Sequence, residues 1–337
     1  MMAKSLEDTT FYRYHRLLAL NEVGGDPAAK ALSAGDFHGM MQTRASEWPH
    51  GMTATATHDT KRGEDARARI MALAEIPGEW TSAVARWKLL NAPHLSVDGD
   101  LRAPSATFEY MLYQALVGAW QPDDASFAER MQEYALKAAR EGKQETSWLN
   151  PHVAYEAGVK SFIAKILDPS LSGEFLNALQ TLAQRLSLLG ALNSLSQITL
   201  KAMMPGVPDF YQGTELWDFH WSIPTTGGRS TLPNAQRRLD ALEDAGLGPR
   251  WSQEWPSGHL KLAWTRHLLK LRTELADVFT DGDYAPFEVS GPHRDHFIAF
   301  ARRRGREAAI ISGRALVCAV DRRRQALARS GELRCRA

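Results

Sequence analysis

Apolar and aromatic residues at Phe11, Tyr14, Leu17, Leu18 and Leu20 recur at the spacing of one helix face, which predicts a helix over residues 1–21. Gly24, Gly25, Asp26 and Pro27 then turn the chain, since glycine permits positive φ and proline cannot continue a helix. A short polar helix is expected around residues 28–45, and the small, threonine-rich stretch 52–57 reads as a strand. His58 and Asp59 follow it directly, with a charged helix start at residues 60–69. A strand, short loop and helix in that order place His58 and Asp59 at the C-terminal end of a strand, where parallel α/β folds hold ligands.

From residue 66 to about 200 nearly everything reads as helix, broken at Pro77-Gly78, Asn91-Ala92-Pro93, Gly99-Asp100, Gln121-Pro122, Asn150-Pro151 and Asp168-Pro169. A second short buried strand is expected over residues 207–211. Residues 217–257, rich in Gly, Pro, Thr and Trp, form a long excursion with a helical piece near 235–245. An amphipathic helix over 260–275 follows, then strands at 287–290, 296–301 and 308–312 that begin a small antiparallel β-domain. The basic tail from Asp321 carries neither periodicity and is expected to be poorly ordered. No internal repeat is present.

Composition narrows the function. The 44% hydrophobic and 23% charged content is enough for a large core, and the net charge of +1 gives no field for nucleic acid or anionic lipid. A neutral substrate fits best. No stretch approaches the roughly 20 apolar residues of a membrane span, so a cytoplasmic protein without membrane or nucleic-acid partners is expected. Cys318 and Cys335 have no metal-ligand spacing, so neither a disulfide framework nor a metal site is implied.

Three constellations carry candidate chemistry. Asp59 suits a helix N-cap, accepting backbone N–H bonds. It equally suits a fixed carboxylate facing a sugar, stabilising positive charge on an oxocarbenium-like centre, with His58 donating to the hydroxyls. Lys61, Arg62, Glu64 and Asp65 read either as a solvated first turn or as part of that site. Phe11, Tyr12 and Tyr14, beside Asn21, Glu22 and Asp26, combine rings with amide and carboxylate groups. That mixture suits carbohydrate, although core packing explains Phe11 and Tyr14 as well. Tyr211, Gln212 and Glu215 follow the second strand, Glu215 as an acid catalyst or as a structural carboxylate. Trp80, Trp87, Trp120 and Trp264 lie in helical segments and read as packing residues.

Residues 3–14 (AKSLEDTTFYRY), 20–27 (LNEVGGDP), 54–65 (ATATHDTKRGED) and 204–216 (MPGVPDFYQGTEL) together resemble maltooligosyl trehalose synthase, a branch of the α-amylase superfamily. The resemblance covers residues 3–217, resumes near 258 and fades around 316. It implies a partial (β/α)₈ TIM barrel represented by its last two strands, dominated by a helical insertion and followed by a small C-terminal antiparallel β-domain. The corresponding division is 1–65 for barrel ending at His58-Asp59, 66–200 for the insertion, 201–282 for the last strand, excursion and closing helix, 283–320 for the β-domain, and 321–337 for the tail. The implied activity is that of an isomerase of trehalose biosynthesis, a (1→4)-α-D-glucan 1-α-D-glucosylmutase. It turns the reducing-end α-1,4 link of a maltooligosaccharide into an α,α-1,1 link, without a cofactor.

By the same resemblance Asp59 is the transition-state stabiliser, and His58, Lys61, Arg62, Asn21, Glu22, Asp26, Tyr211, Gln212 and Glu215 contact substrate. The family's nucleophile and acid/base lie on earlier strands, so the fragment is expected to be inactive alone, or completed by a separate N-terminal half of the barrel. The stretches 218–257 and 321–337 depart from the family pattern, as a truncated or shifted reading frame would produce. A non-catalytic glucan-binding remnant and a hydrolase of the same superfamily are the competing readings.

Overall fold

Proline and glycine set most element boundaries. Pro77 and Pro169 open helices, where a missing N–H costs nothing. Residue Lys143 closes another in the left-handed conformation, at φ 54°. The computed structural model describes residues 6–28, 31–221, 255–314 and 334–336. They fall into two units, one of residues 1–29, 59–190 and 219–224, the other of 30–58, 191–218 and 225–337.

The first unit is helical. It holds α1 (Asp8–Phe11), α3 (Glu64–Ala72), α4 (Pro77–Asn91), α5 (Ala106–Ala119), α6 (Phe127–Gly142), α7 (Val153–Ile166) and α8 (Pro169–Met203) up to residue 190. Helix α5 is buried nearly all round, from Phe108 to Ala119 apart from Tyr110, as its apolar sequence requires. Its polar members are matched: Gln114 accepts from the Leu18 N–H at 2.9 Å and donates to the His15 carbonyl at 2.8 Å. Glu109 accepts from the Tyr113 hydroxyl at 2.7 Å and pairs with Arg102. Trp87 packs edge-on against Trp80, Tyr113 and Phe175 at 5.5–5.7 Å between ring centres, so the packing role expected of Trp80 and Trp87 holds.

Four expectations for this unit are corrected. Within residues 6–21 helix is confined to residues 6–11, of which Asp8–Phe11 is the α-helical part, and to a 3₁₀ turn at Leu18–Leu20, where one long helix was expected. The reason is a side chain: Asn21 Nδ2 donates to the carbonyls of Phe11 and Tyr14, groups that a continuous helix would satisfy internally. Helix α3 starts at Glu64, later than expected, and Gly63 rather than Asp59 occupies its N-cap position. Lys61, Arg62, Glu64 and Asp65 are buried, at 8%, 1%, 3% and 1% exposure, and are no solvated turn. Finally, an antiparallel hairpin, β2 (Ser96–Asp98) and β3 (Leu101–Ala103), interrupts the helical run at Gly99, whose φ is +57°.

The second unit holds α2 (Ala34–Glu47), β1 (Met52–Ala54), the end of α8, β4 (Val207–Asp209), α9 (His259–Glu274), α10 (Ala276–Asp281), β5 (Asp283–Ser290), β6 (Phe297–Arg304), β7 (Glu307–Arg314) and β8 (Arg334–Arg336). Helix α2 begins later than expected because Ser33 and Asp36 form a reciprocal capping box. The antiparallel sheet runs β7-β6-β5-β8, so the strands expected at 287–290, 296–301 and 308–312 exist and are longer. Its core joins Phe300, Tyr284 and Ile311 to Phe279, Leu268, Ala202 and Ile198. Strand β8, within the tail where no strand was expected, pairs with residues 288–290. The helical piece near 235–245 and the rest of the tail lie outside the described residues.

Strands β1 and β4 pair in parallel, Met52 with Val207, Thr53 with Pro208 and Ala54 with Asp209. Both are shorter than expected. They are also not buried, with Met52 at 72% and Val207 at 46% exposure, because among the described residues these two strands form a sheet of their own. No helix among the described residues is long and apolar enough to cross a membrane, and none of them group into a candidate metal site.

Candidate functional site

The boundary between the units falls between His58 and Asp59, so the candidate residues are described in two groups.

In the second unit, the chain leaves β1 through Thr55 to His58 and leaves β4 through Phe210 to Glu215. Arg44 of α2 fixes the entrance to the pair, donating to the carbonyls of Pro205 at 2.8 Å and Gly51 at 2.5 Å and to the Thr53 hydroxyl at 2.6 Å. Gly206 is obligatory there: its φ is +116°, and a Cβ would lie 2.5 Å from the Gly51 oxygen. At the exits, the buried Lys201 donates to the Thr55 hydroxyl at 2.7 Å and lies 4.1 Å from the centre of the Phe210 ring. Tyr211 is half-buried, Gln212 and His58 are exposed, and Glu215 folds back to accept the Gly213 N–H at 2.9 Å. Lys261, fully buried, donates to the Leu216 carbonyl at 3.1 Å and lies near the Trp217 ring.

In the first unit, Asp59 sits half-buried in a turn that continues into the buried residues 60–63. Glu22 organises this loop. Its Oε1 accepts the backbone N–H of Lys61 at 2.8 Å and of Val23 at 3.0 Å, and its Oε2 lies 3.7 Å from Arg67 Nε. The Lys61 ammonium pairs with Asp8 at 2.6 Å. Arg62 turns into the core, donating to the Tyr134 hydroxyl at 2.7 Å and more weakly to the carbonyls of Leu18 and Asn21. Trp221 stacks on Tyr134 at 5.3 Å, and His220 accepts the Gly63 N–H at 2.9 Å, so the segment after residue 218 closes over the same loop. Arg69 lies 3.5 Å from the Phe219 ring centre, and burial pushes its pKa down to about 10 against the pull of Asp65. Asn21 is fully buried, and Asp26 is exposed and accepts the Ala28 N–H at 2.9 Å.

Thus Asn21, Glu22, Lys61 and Arg62 are brought together around one loop, and Asp26 is exposed with its carboxylate on its own turn. Tyr134, Arg67 and Lys201 were not singled out from the sequence as site residues, whereas Asp8 belongs to the aromatic and carboxylate constellation of residues 7–14. Tyr134 is invisible locally because its partner is 72 residues away. Lys201 did leave a signal, a lone cation in the apolar run 198–204.

No family model matches the chain. A putative maltooligosyl trehalose synthase of Mycobacterium tuberculosis is 36% identical over 305 residues, which cover 89% of this chain. The chain is homologous to maltooligosyl trehalose synthase. It spans only 36% of the length of that relative. Among solved structures, the maltooligosyltrehalose synthase of Arthrobacter ramosus matches 95% of this chain and 39% of its own, with 35% identity and a TM-score of 0.78. A hypothetical maltooligosyl trehalose synthase of Sulfolobus tokodaii matches 94% and 40%, with 30% identity and a TM-score of 0.75.

Proposed function

We propose that these residues form part of a maltooligosyl trehalose synthase, in which β1 and β4 are the last two strands of a (β/α)₈ barrel and Asp59 is the transition-state stabiliser. The observation that carries the reading is identity of 36% across 89% of the chain, including the segment that delivers Asp59. The parallel register of β1 and β4 supports the barrel assignment, since parallel strands need covering layers on both faces and both strands here are open.

In the proposed reaction, an acid protonates the oxygen linking the last two glucose units while a carboxylate nucleophile takes the penultimate anomeric carbon. The released glucose turns, and its anomeric hydroxyl attacks the same carbon, returning its proton to the base and freeing the nucleophile. Bond count is conserved and no water enters. The half-buried Asp59 holds negative charge beside the oxocarbenium-like centre in both steps. Asn21, Glu22, Lys61 and Arg62 act chiefly by fixing its loop, because Asn21 Nδ2, Glu22 Oε1, the Lys61 ammonium and the outer nitrogens of Arg62 are each engaged by protein partners. Of the other residues that the resemblance assigns to substrate, Asp26 lies in the same unit as Asp59, and His58, Tyr211, Gln212 and Glu215 lie in the second unit.

The test is a chimera in which residues 6–314 replace the matching region of the Arthrobacter ramosus synthase. Conversion of maltopentaose to a product with a trehalose end is expected, and Asp59→Asn should lower kcat by about 10²–10³. A chimera that folds and binds maltopentaose yet forms only glucose and maltotetraose would refute the synthase reading in favour of a hydrolase.

A further inference from the structure

Trp148 stands apart from the packing tryptophans. It is 53% exposed, and its neighbours Leu149 and Val153 are 99% and 76% exposed. Yet the ring is held. Its indole N–H donates to Glu141 at 2.9 Å, and the Arg140 guanidinium lies 4.8 Å from the ring centre. Arg140 is itself fixed by two hydrogen bonds to Glu156, at 2.9 and 2.6 Å, and Glu156 also accepts the Thr146 hydroxyl at 2.7 Å. The loop is tied at both ends. Arg13 donates to the carbonyls of Gly142 and Lys143, while the His152 N–H donates to Thr146 Oγ1 at 2.9 Å.

An indole left in water on a floppy loop needs no explanation, because single exposed apolar residues are common. One oriented by charge-assisted bonds is different. Its conformational entropy is already removed, so a flat apolar partner that stacks on it meets a preformed surface. The flanking exposed Lys143, Gln144 and Glu145 supply donors and acceptors beside the ring, the combination that a sugar face with peripheral hydroxyls requires. The location also fits. Helix α1, whose Asp8 pairs with Lys61 of the loop after Asp59, packs against α6, the helix that carries Arg140 and Glu141.

We propose that Trp148 is a stacking platform for an α-1,4-glucan chain, extending binding beyond the loop of Asp59 within the first unit. This rests on the synthase reading and adds a binding residue to it.

The experiment is a titration of the ¹⁵N-labelled 337-residue chain with maltoheptaose, following the indole N–H signals, with the Trp148 signal assigned by its loss in Trp148→Phe. The expected result is a saturable shift of the Trp148 signal. Calorimetry should give about tenfold weaker binding for Trp148→Ala and a smaller loss for Trp148→Phe, which keeps an aromatic face. If amides of residues 57–62 shift while the Trp148 indole does not, the platform is refuted and the synthase reading stands. If no signal moves at millimolar maltoheptaose, the platform is refuted, and the synthase reading is decided by the chimera. The wild-type indole shift is read without any substitution, so a misfolded alanine variant does not blur the answer.

Discussion

A carboxylate in this chain acquires its role from what its neighbours do with their donors. Glu22 is held by two backbone N–H groups and sets a loop, whereas Asp59, two residues from one of those donors, stays half-buried at the loop's start. Glu156 illustrates the energetic side. Its hydrogen bonds to Arg140, and secondarily to Thr146, hold its pKa below the usual carboxylate range, with desolvation opposing them. A depressed folded-state pKa contributes stability above the unfolded value of about 4.3, and that stability is lost as pH falls through the folded value. Glu156→Gln should therefore cost about 1–3 kcal/mol at neutral pH. The gap from wild type should close on acidification below about pH 4, read by urea unfolding across pH. A gap independent of pH would show that ionisation is not its source. The same residue anchors Arg140 beneath Trp148, so the variant should also weaken maltoheptaose binding.

Elements here are joined by close approaches that only small residues permit. Between α3 and α5, a Cβ on Gly118 would fall 2.8 Å from Ile70 Cδ1 and 3.3 Å from the Ala66 carbonyl oxygen. Between α7 and the β2–β3 hairpin, a Cβ on Gly158 would fall 2.7 Å from the Ala103 Cβ and 3.1 Å from that of Ser96. Helix propensity alone favours alanine at an interior glycine by about 1 kcal/mol. Overpacking costs about 1–3 kcal/mol and should outweigh it at Gly158, whose neighbours are short and cannot rotate away. Gly118→Ala should be milder, since its nearest contact is the terminal methyl of Ile70 rather than a Cβ fixed to the backbone. Thermal unfolding of the two variants ranks them, and equal midpoints would contradict the argument. Helix and strand existence was legible from periodicity and from prolines such as Pro77 and Pro169. The hairpin was not, because Ser96–Asp98 and Leu101–Ala103 are too short for alternation to register.

On the scale of the whole molecule, the chain spans 36% of the Mycobacterium tuberculosis relative, and the proposed reading assigns one of the three reacting carboxylates, Asp59, to it. The 337 residues expressed by themselves should show no turnover of maltopentaose, and substitution into a complete homologue should restore it. Detectable trehalose-end product from the isolated polypeptide would overturn the assignment of Asp59 as stabiliser rather than nucleophile. The exposed Met52 and Val207 on an open parallel pair argue in the same direction, since such edges recruit further strands.

What the sequence determined by itself was the resemblance to maltooligosyl trehalose synthase and the order of the longer elements, because motifs such as ATATHDTKRGED and MPGVPDFYQGTEL, and the helical periodicity between them, are local properties of neighbouring residues. Only the tertiary structure decided which polar groups face inward. Lys61 and Arg62 look like a solvated turn until Asp8, Glu22 and Tyr134, from 39 to 72 residues away for the last two, take up their hydrogen bonds. Burying a charge is tolerable only when its partners are already in place, and those partners are set by packing between segments distant in the chain.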